Sequence, residues 1–127
     1  MKIQVDEIMI DGSKITVIFT AEFGWGKAFW EGDIPVKNQK YDVEVDIHDI
    51  LEWGKGILRN GEEICFINFK DSTVYIAGIL EAVYDDGYSV LRIGNYIIPF
   101  IATGNPFPIL TPILLSTKTI GLSPFYY

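Results

Sequence analysis

The chain of 127 residues is long enough for one domain, and with 49% apolar and 21% charged residues its composition is globular. This composition excludes disorder for most of the chain, and a lone cysteine, Cys65, excludes a disulfide scaffold. The net charge of −7 disfavours general nucleic-acid binding and acidic membrane surfaces, which both require an excess of Lys and Arg. All 17 acids lie within residues 1–86, so the acidic part of the surface is expected there.

The first residues carry charge too early for the apolar segment of a secretory signal, and no run approaches the ~18 apolar residues of a membrane-spanning helix. We therefore expect a cytoplasmic protein with no membrane partner, in which Cys65 stays reduced.

Apolar residues recur with a period of two, which indicates β-strands. Residues 2–10 and 14–23 predict a hairpin across a short Asp-Gly turn. Residues 24–32 contain three glycines and predict a loop or bulge that flanks a short strand at 27–31.

Residues 41–48 show the clearest alternation in the chain. One side carries apolar residues, namely Tyr41, Val43, Val45 and Ile47. The other side carries polar residues, namely Asp42, Glu44, Asp46 and His48. This pattern is typical of a strand with one buried face and one solvated face.

The second half predicts further strands and turns. Residues 49–61 allow one helical turn near 49–53 but no long helix. Strands follow at 62–69, 73–84, 88–93, 96–103 and 113–122. Gly78 predicts a bend or bulge, and Asp85–Gly87 predicts a hairpin turn. The expected fold is all-β: one domain over 1–127, a small antiparallel barrel or sandwich of seven to eight strands with little or no helix.

The segment 41–122 resembles the oligonucleotide/oligosaccharide-binding barrel, or OB-fold. The similarity is carried by the alternating strand at 41–47, the glycine within the strand 78–84, the Asp-rich hairpin at 85–87 and the terminal strand ending at Pro124. Small bacterial proteins of this shape include poorly characterised ones that resemble toxin-immunity proteins. The resemblance implies an OB-like core at 41–122, to which the leading hairpin at 2–23 would be an addition.

The best-defined candidate site is acidic. It combines the carboxylates of strand 41–48 with neighbouring polar and aromatic residues: Asp42, Glu44, Asp46, His48, Asp49, Glu52 and Trp53. This set is interpreted as a binding surface for a basic protein, with Trp53 as an anchor. A solvated strand face that resists edge aggregation, or a site for a hard cation, would share the pattern. No calcium-binding spacing, catalytic motif or cofactor motif is present, so we expect no metal site, no cofactor and no enzyme.

Two further groups remain open. Trp25, Trp30 and Trp53 lie in or beside Gly-rich segments, where they could stack on bases or sugars or else cap the ends of a barrel. The apolar segment 96–115 and the ending at 124–127 would form a partner or self-association patch if exposed, or a core strand and packed tail if buried.

The function expected from these residues is a non-enzymatic protein-binding module, most specifically an immunity protein that neutralises a basic toxin. The alternative is an OB-type domain that binds a single-stranded nucleic acid or a saccharide through exposed tryptophans.

Overall fold

A computed structural model describes residues 1–125, and all regular structure in this range is β-strand. The strands are β1 (Lys2–Asp11), β2 (Lys14–Ala21), β3 (Gly24–Trp30), β4 (Lys40–Ile47), β5 (Ile50–Glu52), β6 (Ile57–Arg59), β7 (Phe66–Lys70), β8 (Thr73–Val83), β9 (Tyr88–Ile93), β10 (Tyr96–Thr103), β11 (Pro112–Thr117) and β12 (Ile120–Pro124). The all-β prediction is therefore confirmed.

Five of these strands close into a barrel. β1, β2 and β3 follow one another as antiparallel neighbours, and β4 returns to pair with β1, so the spatial order is that of a Greek key. β12 then lies between β3 and β4, parallel to the first and antiparallel to the second. The last strand of the described chain thus closes the barrel that the first four strands begin.

The remaining strands come from residues 48–119, which the chain inserts between β4 and β12. β7, β8, β9, β10 and β5 are neighbours in that order, while β11 pairs with the other edge of β8 and with β6. A short parallel contact between Gly24 of β3 and Ile67 of β7 joins this sheet to the barrel. The result is one continuous hydrogen-bonded system.

The structure assigns the leading hairpin a different place from the one expected. β1 and β2 are two of the five barrel strands, whereas the segment 41–122 contributes only β4 and part of β12 to the barrel. The physical reason is that closure depends on the non-local pairing of β12 with β3, and an alternation within one strand carries no information about its distant neighbour.

The segment 49–61 and Gly78 also differ from the expectations. The first contains two three-residue strands, β5 and β6, where one helical turn was expected; these short strands contribute to the total of twelve in the described range. The irregular pairing of β8 with β9 lies between Leu80 and Ala82 rather than at Gly78. Gly78 instead allows close backbone approach, because a Cβ there would overlap the carbonyl oxygen of Arg92.

One apolar core runs through both sets of strands. Val5 and Phe19 from the barrel and Ile57, Leu80 and Leu115 from the inserted strands belong to the same buried cluster, and all five are fully buried. Burying each such side chain stabilises the fold by about 1.5–3 kcal/mol, so a shared cluster couples the stability of the two parts.

Candidate functional site: an acidic strand beside an apolar groove

The alternation predicted for β4 is present in the structure. Val43 and Val45 are buried, whereas Glu44 is exposed and Asp42 and Asp46 are half-buried. Because successive residues of a strand point to opposite sides, the three carboxylates share the outer side of the barrel. We call Asp42, Glu44 and Asp46 the acidic face.

The acidic face forms no salt bridge with the residues that the structure describes. The ion pairs found among residues 1–125 involve other acids, namely Glu7, Glu31 and Glu81. The amino group of Met1 donates a hydrogen bond to the carbonyl oxygen of Val43 at 2.7 Å. Burial lowers the pKa of this amino group, and the nearby charge of Asp42 opposes that shift. The acidic face is therefore available to cations from outside.

A groove of about 600 Å³ runs beside the acidic face. Asp42 and Glu44 lie on its β4 side. The other side is formed by β9 and β10, which contribute side chains that are mostly apolar or aromatic: Tyr88, Tyr96, Ile97 and Pro99. Phe125, which follows β12, lines the groove on the β4 side, where its backbone amide donates a hydrogen bond to the Asp42 carbonyl oxygen at 2.9 Å. Ile97 keeps 64% of its surface exposed. The arrangement places carboxylates directly beside an apolar wall.

The apolar wall is the part of the site that the seven predicted residues do not include. The sequence did point to these regions, because the segment 96–115 and the ending 124–127 are apolar and uncharged. The sequence alone was compatible with either an exposed partner patch or a buried core. The structure divides them: Ile98 and Phe100 are buried, whereas Ile97 and Phe125 are exposed. Tyr126 and Tyr127 lie outside the described residues.

His48 lies at the end of β4, near the acidic face but engaged with another acid. Its Nε2 is 3.7 Å from Oε1 of Glu31, and its ring covers Gly121, where a Cβ would come within 2.8 Å of the imidazole. The other carboxylate oxygen of Glu31 accepts a hydrogen bond from Ser123 Oγ at 2.9 Å. The absence of a side chain at Gly121 thus makes room for a polar cluster on β4 and β12.

Asp49 has a structural role in the β11–β12 turn. Its carboxylate accepts hydrogen bonds from Thr117 Oγ1 at 2.7 Å, from the Lys118 amide at 3.0 Å and from Thr119 Oγ1 at 3.3 Å. The Thr117 hydrogen bond is the largest cause of the lowered pKa of Asp49, because it favours the charged carboxylate. Asp49 therefore fixes a turn rather than extending the acidic face.

Glu52 and Trp53 lie at a different place on the surface. Glu52 is paired with Thr103 at the end of β10, six residues and therefore about 20 Å along that strand from Ile97 in the groove. The Trp53 ring packs against Phe107 and Phe100, with ring centroids 5.2 and 6.0 Å apart. The structure thus separates these two predicted site residues from the acidic face.

The other tryptophans also differ in exposure. Trp30 is buried, and its Nε1 donates a hydrogen bond to the Asp33 carbonyl oxygen at 2.8 Å. Trp25 keeps 41% of its surface exposed and meets Phe69 edge to face, with 5.7 Å between ring centroids. The hypothesis of ligand stacking on three tryptophans therefore retains only Trp25 as a well-exposed ring.

Cys65 is a free thiol that contacts the backbone of the β9–β10 turn. The thiol is half-buried, and its Sγ accepts a hydrogen bond from the Gly94 amide at 3.4 Å.

Within residues 1–125, no group of three or more His, Cys, Asp or Glu side chains has the arrangement of a metal site. Over the same range, no helix is long and apolar enough to cross a bilayer.

Comparisons with known proteins give no relative from which a role can be transferred: no family model matches the chain, and neither a curated protein nor a solved structure matches it.

Proposed function

We propose that this protein is a non-enzymatic binding module that holds a basic protein partner against the acidic face and the adjoining groove. The single observation that carries the proposal is the contact between two kinds of surface. Asp42 and Glu44, free of ion pairs with described residues, border a groove whose opposite wall is apolar and aromatic. Protein interfaces combine an apolar centre with a polar rim in this way.

The two parts of the surface contribute differently to binding. An apolar anchor from the partner that covers the exposed Ile97 and Phe125 would contribute affinity by removing apolar surface from water. The carboxylates would mainly accelerate the encounter and orient the partner, because attraction between unlike charges acts over a Debye length of about 10 Å.

In its most specific form, the partner is a basic toxin that the module neutralises by covering a cationic surface. Three observations support this form: the net charge of −7, the unpaired acidic face and the resemblance to toxin-immunity-like proteins of OB-type shape. The five-stranded Greek-key barrel formed by β1–β4 and β12 agrees with the architecture of an OB-fold, although it uses other segments than the 41–122 core.

The test uses the product of the neighbouring gene as the candidate toxin. Wild-type protein, co-expressed with that product, should restore growth and form a complex on gel filtration. The triple substitution Asp42→Lys, Glu44→Lys and Asp46→Lys should abolish both effects, because each change replaces attraction with repulsion. A matched control reverses three exposed acids elsewhere, Glu22, Glu62 and Glu63, and should retain protection.

The two levels of the proposal fail separately. Absence of protection by the wild-type protein would refute the immunity role. Equal protection by both triple variants would show that the acidic face is not the binding surface. Circular dichroism of both variants establishes that any loss is not a loss of fold.

A further inference from the structure

A second cleft lies on the barrel, where three hairpin turns meet. It has a volume of about 370 Å³, within the range of small-molecule sites. The β1–β2 turn contributes Asp11 and Lys14, the β7–β8 turn contributes Ser72, and the β11–β12 turn contributes Lys118. β3 forms the floor with Lys27 and Phe29.

The charge of this cleft is opposite to that of the whole molecule. Lys14, Lys27 and Lys118 line it against a single acid, Asp11, in a protein of net charge −7. None of the three lysines takes part in the ion pairs found among residues 1–125. Asp11 and Lys14 are paired across the hairpin, yet they are not within salt-bridge distance. Three exposed lysines thus line one cleft, and the single acid there, Asp11, forms no salt bridge with them.

Aromatic rings accompany the lysines. Phe29 and Phe69 both line the cleft, and the Nζ of Lys14 lies 4.2 Å from the centre of the Phe29 ring. On the outer side of β3, Trp25, Lys27 and Phe29 follow one another at every second position, so a ring, a cation and a ring share one face. Alternation of cations and flat rings matches ligands that carry both phosphate and an aromatic base.

One of the turns around the cleft is held by side-chain hydrogen bonds. The Asp49 carboxylate accepts hydrogen bonds from Thr117, Lys118 and Thr119, and these bonds hold the turn that carries the Lys118 side chain. Ser72 has a φ of 61° in the β7–β8 turn, where it lines the cleft. A turn that is already ordered in the free protein loses less conformational entropy when a ligand binds.

We propose that this lysine cleft binds a phosphate joined to an aromatic base, supplied either by a free nucleotide or by one unit of a single-stranded nucleic acid. The lysines neutralise the phosphate, while Phe29 and Phe69 contact the base. The hydroxyl group of Thr16, which also lines the cleft, can donate a hydrogen bond to a phosphate oxygen. The overall negative charge of the chain disfavours an extended interface with the phosphates of a duplex, but it does not exclude a local phosphate site of this size.

The experiment follows backbone amide shifts by NMR at low salt during separate titrations with AMP, a short oligodeoxyadenylate and inorganic phosphate. We expect saturable shifts at Thr16, Phe29 and Thr119 with AMP. Replacing Lys14, Lys27 and Lys118 by Gln should weaken binding by about tenfold or more, the effect of losing ~1.4 kcal/mol of charge pairing. The matched control replaces Lys2, Lys40 and Lys55, which are exposed and outside the cleft, and should retain the affinity.

Every outcome decides the matter. Tighter binding of the oligomer than of AMP identifies a single strand as the source, and equal or weaker binding identifies the free nucleotide; both support the cleft. No saturable shift with either, or phosphate alone binding as well as AMP, overturns the proposal. Equal weakening by the two triple variants also overturns it, because the effect would then reflect net charge rather than this cleft.

Discussion

Asp49 illustrates how the role of a single residue depends on partners far along the chain. In the sequence it belongs to a run of acids, and it is separated by 68 residues from Thr117, whose hydroxyl it binds. Glu44, only five positions earlier, keeps an exposed carboxylate without an ion pair among the described residues. The two acids resemble each other in sequence, but one stabilises a turn and the other faces solvent.

The stabilisation provided by Asp49 should depend on pH. Because its pKa in the folded state lies below the ordinary value of 3.8, its contribution is present above 3.8 and is lost as the pH falls through the folded-state pKa. Asp49→Asn should lower the free energy of unfolding near neutral pH by about 1 kcal/mol, a usual effect of losing a carboxylate that accepts backbone hydrogen bonds.

Urea unfolding near neutral pH, and again at a pH far enough below 3.8 to protonate the Asp49 carboxyl group in the folded state, measures this contribution. The difference between wild type and Asp49→Asn should shrink at the lower pH, where the wild-type carboxyl group is also uncharged. A difference of the same size at both pH values would contradict the assignment. Glu62→Gln, at an exposed position, serves as the control.

At the scale of elements, the sequence predicted which side chains of a strand are buried and which are exposed, but it did not predict which strands lie next to it. Within β4, the buried Val43 and Val45 alternate with polar residues as the sequence indicates. The pairing of β4 with β12 joins Val45 to Leu122, across the whole inserted region. Side-chain alternation follows from local backbone geometry, whereas a neighbouring strand is selected by packing and hydrogen bonding over the entire chain.

The junction between β3 and β7 should be sensitive to the addition of one methyl group. A Cβ at Gly24 would overlap the carbonyl oxygen of Ile67, and the φ of +141° there is unfavourable for any L-residue with a side chain. Gly24→Ala should therefore reduce the free energy of unfolding by about 3 kcal/mol through steric overlap and backbone strain.

Chemical denaturation of Gly24→Ala and of the matched variant Gly61→Ala tests this expectation. Gly61 has open space around it, so its substitution should change stability by no more than about 0.5 kcal/mol. Equal stability of the two variants would show that β3 and β7 do not meet as closely as the structure indicates.

At the scale of the whole molecule, the barrel and the inserted strands should unfold together. Their side chains form one buried cluster, and β12 completes the barrel only after the chain has passed through the inserted sheet. Calorimetry should show a single transition with equal calorimetric and van't Hoff enthalpies and a heat-capacity change of about 1.7 kcal/mol/K. Two resolved transitions would mean that the two parts are separate folding units.

The sequence by itself determined the all-β class, the outward position of Asp42, Glu44 and Asp46, and the hairpin turns at Gly12 and Gly87, since these features depend on side-chain alternation and local backbone conformation. It also pointed to the uncharged segment 96–115, although alternation could not tell whether this segment was core or surface.

Only the tertiary structure decided which distant elements meet. It brought β12 between β3 and β4, moved Glu52 and Trp53 away from the acidic face, and gathered Lys14, Lys27 and Lys118 around one cleft. These tertiary contacts bring together residues that are separated by up to about a hundred positions in the sequence. They are selected by the burial of a shared core, a property of the whole chain that no short window of sequence contains.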